Sequence, residues 1–345
     1  MSAPFLGFWE HLPRPFFALA PLADVTDVAF RTFVLRHSRP DVLWTEFVAA
    51  DGLCHPVARE RLLPDLRFDP TEQPIVAQIF TSSPENMYQV AKEIKALGFA
   101  GIDINMGCPV KKINKQGSGA ACILNPENSQ ALVRAAIAGV SEDGNPIPVS
   151  VKTRLGFNTD IMEEWIGALL ECQPAAITIH GRTQKEMSDV PAHWDRIADV
   201  VRLARGSGTL IIGNGDVWNM REARERVAQS GVDGIMFGRA VFGNPWLFDE
   251  SVTSVSVEQR LAAALEHTRH FLSTFGTTKN FDILKKHYRA YVHGFAGAKD
   301  LRVAMMGGKS LEDIEAMVAN FLATHESIRT EQIDLSVPAV KTSRE

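Results

Sequence analysis

The segment from Ile102 to Cys122, IDINMGCPVKKINKQGSGAAC, places a cysteine where a side chain could do chemistry. An apolar alternation, Gly101-Ile102-Asp103-Ile104, runs into Asn105 and Cys108, and Pro109 then ends any strand because it has no N–H to donate. A thiol is thereby set at the carboxyl end of a strand, where parallel α/β folds do chemistry. With a reference pKa of about 8.5, a thiol is mostly protonated at neutral pH and can act as a general acid. Lys111, Lys112 and Lys115 follow at once, close enough to shift the thiol or to meet phosphates. Most free cysteines are small buried hydrophobes, so the segment alone leaves packing and catalysis both open.

Other strand ends carry matching chemistry. Lys152 and Arg154 alternate with Val151 and Thr153, which puts both basic side chains on one side of a strand end. A lysine there can stabilise negative charge on the N1/O2 edge of a reduced flavin; a solvated lysine is the plain alternative. Gln78 and His180 could hydrogen-bond the same ring, and a histidine satisfied within the protein is equally consistent. Gly213-Asn214-Gly215-Asp216 and Gly238-Arg239 each pass for an ordinary tight loop when taken singly. Following the last two strands together, they suit a phosphate-bearing cofactor, because glycine lets the backbone approach an anion and arginine offers a forked donor. Gly117 to Cys122, GSGAAC, fails GxGxxG at its last position, so no dinucleotide fold is expected there.

These residues need a scaffold that gathers strand ends at one mouth. Strand signals recur at Phe16–Ala20, Val42–Glu46, Ile75–Ile79, Gly101–Ile104, Val149–Thr153, Ala176–His180, Leu210–Gly213 and Gly234–Phe237. Helical patterns separate most of them, among them Asp24–Leu35 with Thr26 or Asp27 as N-cap, a helix from the Ser83-Pro84 cap to Leu97, Ile161–Leu170, Trp194–Leu203 and Met220–Gln229. Eight strands with helices between them in about 250 residues predict a (β/α)8 TIM barrel. A doubly wound sheet would carry its phosphate loop after the first strand, where this chain has Pro21-Leu22-Ala23-Asp24. Val257–Phe275, Asn280–His293 and Leu311–Thr324 are helical in period, with no strand signal between. The expected organisation is a barrel over residues 1–250, a small helical domain over 251–325, and a polar, frayed tail over 326–345.

Composition narrows the class. The 345 residues are 45% hydrophobic, enough for one large core, and the net charge of −5 does not advertise nucleic-acid binding by bulk electrostatics. No apolar run reaches the roughly 18 residues a membrane helix needs, and the first residues lack a basic start followed by an apolar stretch, so a cytoplasmic protein is expected. The four cysteines show neither CxxC spacing nor a zinc-type cluster, which predicts reduced thiols and no metal.

The motifs together resemble the tRNA-dihydrouridine synthase family. They are Ala20-Pro21-Leu22-Ala23-Asp24-Val25-Thr26-Asp27, Asn105-Met106-Gly107-Cys108-Pro109, Val151-Lys152-Thr153-Arg154-Leu155-Gly156, His180-Gly181-Arg182-Thr183, Asn214-Gly215-Asp216 and Gly238-Arg239-Ala240. Lys286-His287, Tyr291, Gly294, Gly297-Ala298 and Leu301-Arg302 look like the helical domain of the bacterial B-type branch. The resemblance implies an FMN-dependent, NADPH-consuming enzyme that reduces the C5=C6 bond of particular uridines in tRNA. By position it implies Cys108 as proton donor. It implies Pro21, Leu22, Ala23, Gln78, Lys152, His180, Asn214, Gly215, Asp216, Gly238 and Arg239 as FMN contacts, and Asn105, Arg154 and Arg182 towards the uracil. Leu22 replaces the family's usual methionine, and Met187 to Trp194 departs from its tyrosine–glycine–Ala-Asp-Trp pattern, so no RNA contact is assigned in that loop.

The chemistry agrees with that carry-over. Hydride added at uracil C6 leaves an enolate that needs a proton at C5, from an acid on the opposite face. A base must also leave its stack to be reached, which a barrel mouth accommodates. Seven basic against two acidic side chains between Lys279 and Lys309, a local balance of +5, offer a platform for tRNA, and Lys111 and Lys112 could meet phosphates beside the target nucleotide. A monomer is expected. The competing readings are an FMN barrel acting on a free pyrimidine, which would need no basic helical domain, and an RNA-binding relative that has lost catalysis.

Overall fold

In the computed structural model, which describes residues 3–337 and 339, the strand signals become a parallel sheet with helices between its strands. Its strands are β1 (Phe16–Leu19), β2 (Leu43–Trp44), β3 (Val48–Ala49), β4 (Ile75–Phe80), β5 (Gly101–Met106), β6 (Val149–Arg154), β7 (Ala176–His180), β8 (Leu210–Asn214) and β9 (Gly234–Phe237). The order β1-β9-β8-β7-β6-β5-β4-β2 closes on itself, because β1 pairs in parallel with β9 on one side and Ala18 bridges Val42 on the other. This is the expected (β/α)8 barrel. Its second position is split, since β2 and β3 both pair with β4 while Thr45, Glu46 and Phe47 leave the ladder between them.

Two units account for the chain. The first comprises the residues up to Val28, Pro40–Val217 and Arg221–Gly238; the second comprises Ala29–Arg39, Trp218–Met220 and the chain from Arg239 onward. The helical region expected from residue 251 therefore draws in two earlier stretches. The first of these carries the helix Val28–His37, which begins four residues later than Asp24.

In the first unit, period-2 alternation decides which side chains enter the barrel. Ile102 and Ile104 of β5 face the helices, and Asp103 and Asn105 face inward with Gln78 of β4, Ser150 and Lys152 of β6 and Asn214 of β8, as their mutual hydrogen bonds record. Below this polar layer lies an apolar floor. Trp9, on the turn Gly7–His11, packs against Phe16 and Trp44 with ring centroids 5.4 and 5.9 Å apart, beside Ala18, Val76, Ile212 and Met236. The barrel is thus plugged at its amino end and open to chemistry only at its carboxyl end.

The second unit contains helices Val257–Phe275, Ile283–Tyr291, Ala298–Gly307 and Leu311–Thr324. Phe30 and Phe33 pack there against His267, with Phe30 also against His287. Both histidines are 2% exposed. Two features differ from expectation. Ala298–Gly307 is a helix that Gly297 and Gly307-Gly308 hid by bracketing a short segment. A strand β10 (Ser254–Ser256) pairs antiparallel with β11 (Gln332–Asp334), so part of the tail expected to fray is held by a ladder; residues 338 and 340–345 lie outside the described residues. Among the described residues no helix is long and apolar enough to cross a membrane.

Candidate active site

The site is built on the turn that follows β5. Asn105, the penultimate strand residue, turns its Oδ1 back to accept from the N–H groups of Gly107 (3.1 Å) and Cys108 (2.9 Å). The turn tightens because a side-chain acceptor replaces the ladder that Pro109 would interrupt. The Gly117-Ser118-Gly119 turn closes on it from behind, where Ala120 N–H donates to Cys108 O at 3.0 Å. Gly119 has φ +62°, and a Cβ there would lie 2.9 Å from Cys108 O, so the turn requires glycine. Small residues then form a 3-10 turn, Gly119–Leu124, before the helix Pro126–Ser141, rather than starting that helix directly.

Cys108 is 8% exposed. Burial pushes its thiol pKa up, and the opposing cations are Arg154 and Lys152 rather than the exposed Lys111 and Lys112 expected to tune it. Raising the pKa keeps the sulfur protonated, as a proton donor must be.

Lys152 reaches across the barrel to donate to Asn214 Oδ1 at 3.1 Å, and Asn214 is fixed in turn by its Nδ2 donating to Met236 O at 2.8 Å. An ammonium carries three N–H groups, so this one bond leaves two for a ligand. Desolvation, with repulsion from Arg154, lowers the Lys152 pKa to about 8, against the pull of Asp103 and Cys108. A half-buried cation held away from bulk water in this way gains most from an anionic partner.

Two arginines behave differently from a simple pair of substrate ligands. Arg154 spends its guanidinium on backbone: Nε donates to Gly107 O (2.7 Å), and Nη1 to Thr183 O (3.1 Å) and Met187 O (3.3 Å). It thereby ties the Cys108 turn to the loop after β7, a tie that Gln184 Nε2 repeats at Pro109 O, 3.3 Å away. Arg182 is held by Val190 O at 2.6 Å and by the carboxylate of Asp216, while its buried Nη1 has no hydrogen-bond partner among the described residues. Asp216 also accepts from Ala192 N–H at 2.9 Å, so its side chain orders the 183–193 loop. That loop, where the chain departs from the family pattern, is braced further by Glu186, which accepts from Thr183 N–H (2.8 Å) and pairs with His193 (2.9 Å).

The remaining expected residues fall as follows. Gln78 is fully buried, and its amide lies between Asp103 and Asn105. His180 ends β7 opposite Asn214 in the β8 register, and Gly215, at φ +123°, lies 3.7 Å from the His180 ring as measured from the position of a Cβ. Pro21, Leu22 and Ala23 follow β1, where Leu22 N–H donates to Thr26 Oγ1 at 2.9 Å. Gly238 closes the first unit, and a Cβ on it would meet nothing within 4 Å, which leaves open space beside its backbone. Arg239 belongs to the second unit, with its guanidinium 5.0 Å from the Trp218 ring centre. Asp103 is not among the expected site residues. It is wholly buried, hydrogen-bonded to Gln78 and Ser150, and burial raises its pKa to about 6. Its signal in the sequence is a carboxylate inside an otherwise apolar strand, Ile102-Asp103-Ile104.

Among the described residues no group of three His, Cys, Asp or Glu is arranged for a metal, and all four cysteines are free. The chain is 40% identical over 320 residues to the "Probable tRNA-dihydrouridine synthase 2" of Bacillus subtilis (strain 168), covering 91% of this chain and 96% of that protein. It is 37% identical over 325 residues to the "Probable tRNA-dihydrouridine synthase" of Staphylococcus aureus (strain MRSA252), covering 92% and 96%. Among solved structures, histamine dehydrogenase from Rhizobium sp. 4-9 shares the fold, with a TM-score of 0.52 at 13% identity over 74% of this chain and about half, 48%, of that one. The family model for dihydrouridine synthase (Dus) matches residues 18–327, and by that match and these identities the chain belongs to the dihydrouridine synthase family.

Proposed function

We propose that this protein is an FMN-dependent, NADPH-driven tRNA-dihydrouridine synthase that reduces the C5=C6 bond of specific uridines. The observation that carries the reading is the pairing, at one barrel mouth, of a buried thiol on a fixed turn with a half-buried lysine that has N–H groups to spare. FMN fits these residues: Lys152 can donate to an anionic ring edge, Gly238 leaves open space beside its backbone, and Asn214 is locked in orientation. When bound, the flavin supplies the hydride that goes to uracil C6.

The chain's own residues do the rest. Lys152 holds a positive charge where the reduced ring gathers negative charge. Cys108 Sγ delivers its proton to C5, and burial keeps that proton in place until the substrate demands it. Arg182 Nη1, buried and without a partner among the described residues, offers a donor for an acceptor on the base, and Arg154 braces the two loops that flank it. Pro21, Leu22, Ala23, Gln78, His180 and Asp216 complete the cofactor surroundings in this reading, and Asn105 the substrate side. Lys111 and Lys112, both exposed beside the Cys108 turn, meet RNA phosphates, as do the basic helices of the second unit. A tRNA substrate makes the cytoplasm the place of action.

The test uses purified full-length protein with unmodified tRNA and NADPH. A yellow protein that forms dihydrouridine in tRNA supports the assignment. A colourless protein, or a yellow one that reduces free uracil or UMP and leaves tRNA untouched, overturns it in favour of the inactive binder or the free-pyrimidine enzyme.

A further inference from the structure

We propose that Asp103 is a positioning residue for the proton donor, and that it acts through the side-chain amides of Gln78 and Asn105 to fix the Cys108 turn. Four side chains and two backbone groups form one directed chain. Asp103 Oδ1 accepts from Ser150 Oγ at 2.6 Å, and Oδ2 accepts from Gln78 Nε2 at 2.7 Å. Gln78 Oε1 accepts from Asn105 Nδ2 at 2.9 Å, and Asn105 Oδ1 accepts from the N–H groups of Gly107 and Cys108.

The direction is imposed from both ends. An ionised carboxylate can only accept, so Gln78 must present its NH2 to Asp103 and its oxygen to Asn105. Backbone N–H groups can only donate, so Asn105 must present its oxygen to the turn and its NH2 to Gln78. One orientation of the two amides satisfies every member, and reversing either would set donor against donor. The relay is enclosed: Asp103 and Gln78 are at 0% exposure and Asn105 at 6%, so water does not compete for these bonds. The positive charge of Lys152 favours the ionised form of Asp103 and so keeps the anchoring end an acceptor. Asp103 lies too deep, behind both amides, to be a ligand of the base; its effect is on where Cys108 stands.

The proposal deepens the function proposed above and rests on it for the role of Cys108, so the experiment separates the two. Full-length protein stripped of flavin is treated with iodoacetamide, and alkylation of Cys108 is followed by peptide mass spectrometry, with the exposed Cys54 as internal reference. Asp103→Ala removes the anchor. Asp103→Asn keeps it, by turning its oxygen to Gln78 and its NH2 to Ser150 Oγ. Gln78→Met cuts the relay at its middle while Asp103 remains. The expected result is that Asp103→Ala and Gln78→Met speed Cys108 alkylation relative to Cys54 by about tenfold, the weight of one lost buried hydrogen bond, and that Asp103→Asn stays near wild type. Flavin-loaded Asp103→Ala should lose dihydrouridine formation in single turnover while NADPH still reduces its flavin.

Wild-type alkylation in Gln78→Met, or equal acceleration by Asp103→Asn and Asp103→Ala, overturns the relay. Should Asp103→Ala not fold, Gln78→Met decides alone. If alkylation responds as expected but Cys108→Ala forms product at the wild-type rate, the relay stands as a loop anchor and the proton-donor role is what fails.

Discussion

Replacing Cys108 by alanine should separate two half-reactions that the wild-type enzyme runs together. The side chain is 8% exposed and contributes one sulfur to the mouth, so its loss costs about 1 kcal/mol of stability and leaves the turn, which Asn105 holds through backbone N–H groups, in place. None of the groups assigned to FMN is touched. Flavin content and the rate of flavin reduction by NADPH should therefore match wild type. The product-forming step loses its general acid, an effect of about 10² to 10⁴-fold, or roughly 3 to 5 kcal/mol of barrel-mouth catalysis. The pH dependence adds a signature. Because burial outweighs Arg154 and Lys152 and raises the thiol pKa, the protonated form persists above the ordinary thiol range. The wild-type protonation step should stay level through neutral pH and decline only at more alkaline pH than a free thiol would; the alanine variant should show no such decline. Single-turnover kinetics with pre-reduced enzyme and unmodified tRNA, quenched and assayed for dihydrouridine, measures the step directly. Product formation by Cys108→Ala at the wild-type rate would refute the reasoning and leave Cys108 as a packing residue.

Lys152→Met should weaken FMN retention and slow flavin reduction; in wild type, FMN affinity should fall as pH rises through about 8, where Lys152 loses its charge, and the variant's affinity should lack that inflection in a flavin-fluorescence titration. In the second unit, His267 is pushed down to about 3 and His287 well below the usual histidine range, chiefly by burial. Their neutral forms stabilise the fold fully above the unfolded value of about 6.5, and that stability drains as pH falls below it, by about 2 kcal/mol per histidine at pH 5; equal denaturant midpoints at pH 7.5 and 5 would contradict this. Charge reversal at the exposed Arg289 and Lys299 should weaken tRNA binding and flatten its log–log salt slope by about 1 for each phosphate no longer neutralised, with flavin reduction unchanged; an unaltered slope in filter binding would remove these residues from the RNA surface. Gly119→Ala should lower the melting temperature, because its Cβ would press on Cys108 O from a positive-φ position, and a wild-type melt would show that the turn can relax.

Local patterning was enough to determine the barrel and the identity of most mouth residues. Apolar alternation marks a strand wherever it falls, and a parallel barrel puts every strand's carboxyl end at one mouth, so Gln78, Asn105, Cys108, Lys152, His180 and Asn214 could be gathered from linear positions alone. Tertiary structure decided what those residues are bonded to. Asp103 sits between two isoleucines and looks like part of an apolar run until closure of the barrel brings Gln78 and Ser150 against it from neighbouring strands. Arg154 ends β6 and Arg182 follows β7, both basic, yet one is absorbed by three backbone carbonyls and the other is held by Val190 O and Asp216 with Nη1 to spare, because the 183–193 loop presents different groups to each. The ladder of β10 with β11 and the joining of Ala29–Arg39 to the second unit are likewise pairings between segments far apart in the chain. Periodicity reports which face of an element is apolar, but it carries no record of the distant partner that face will meet.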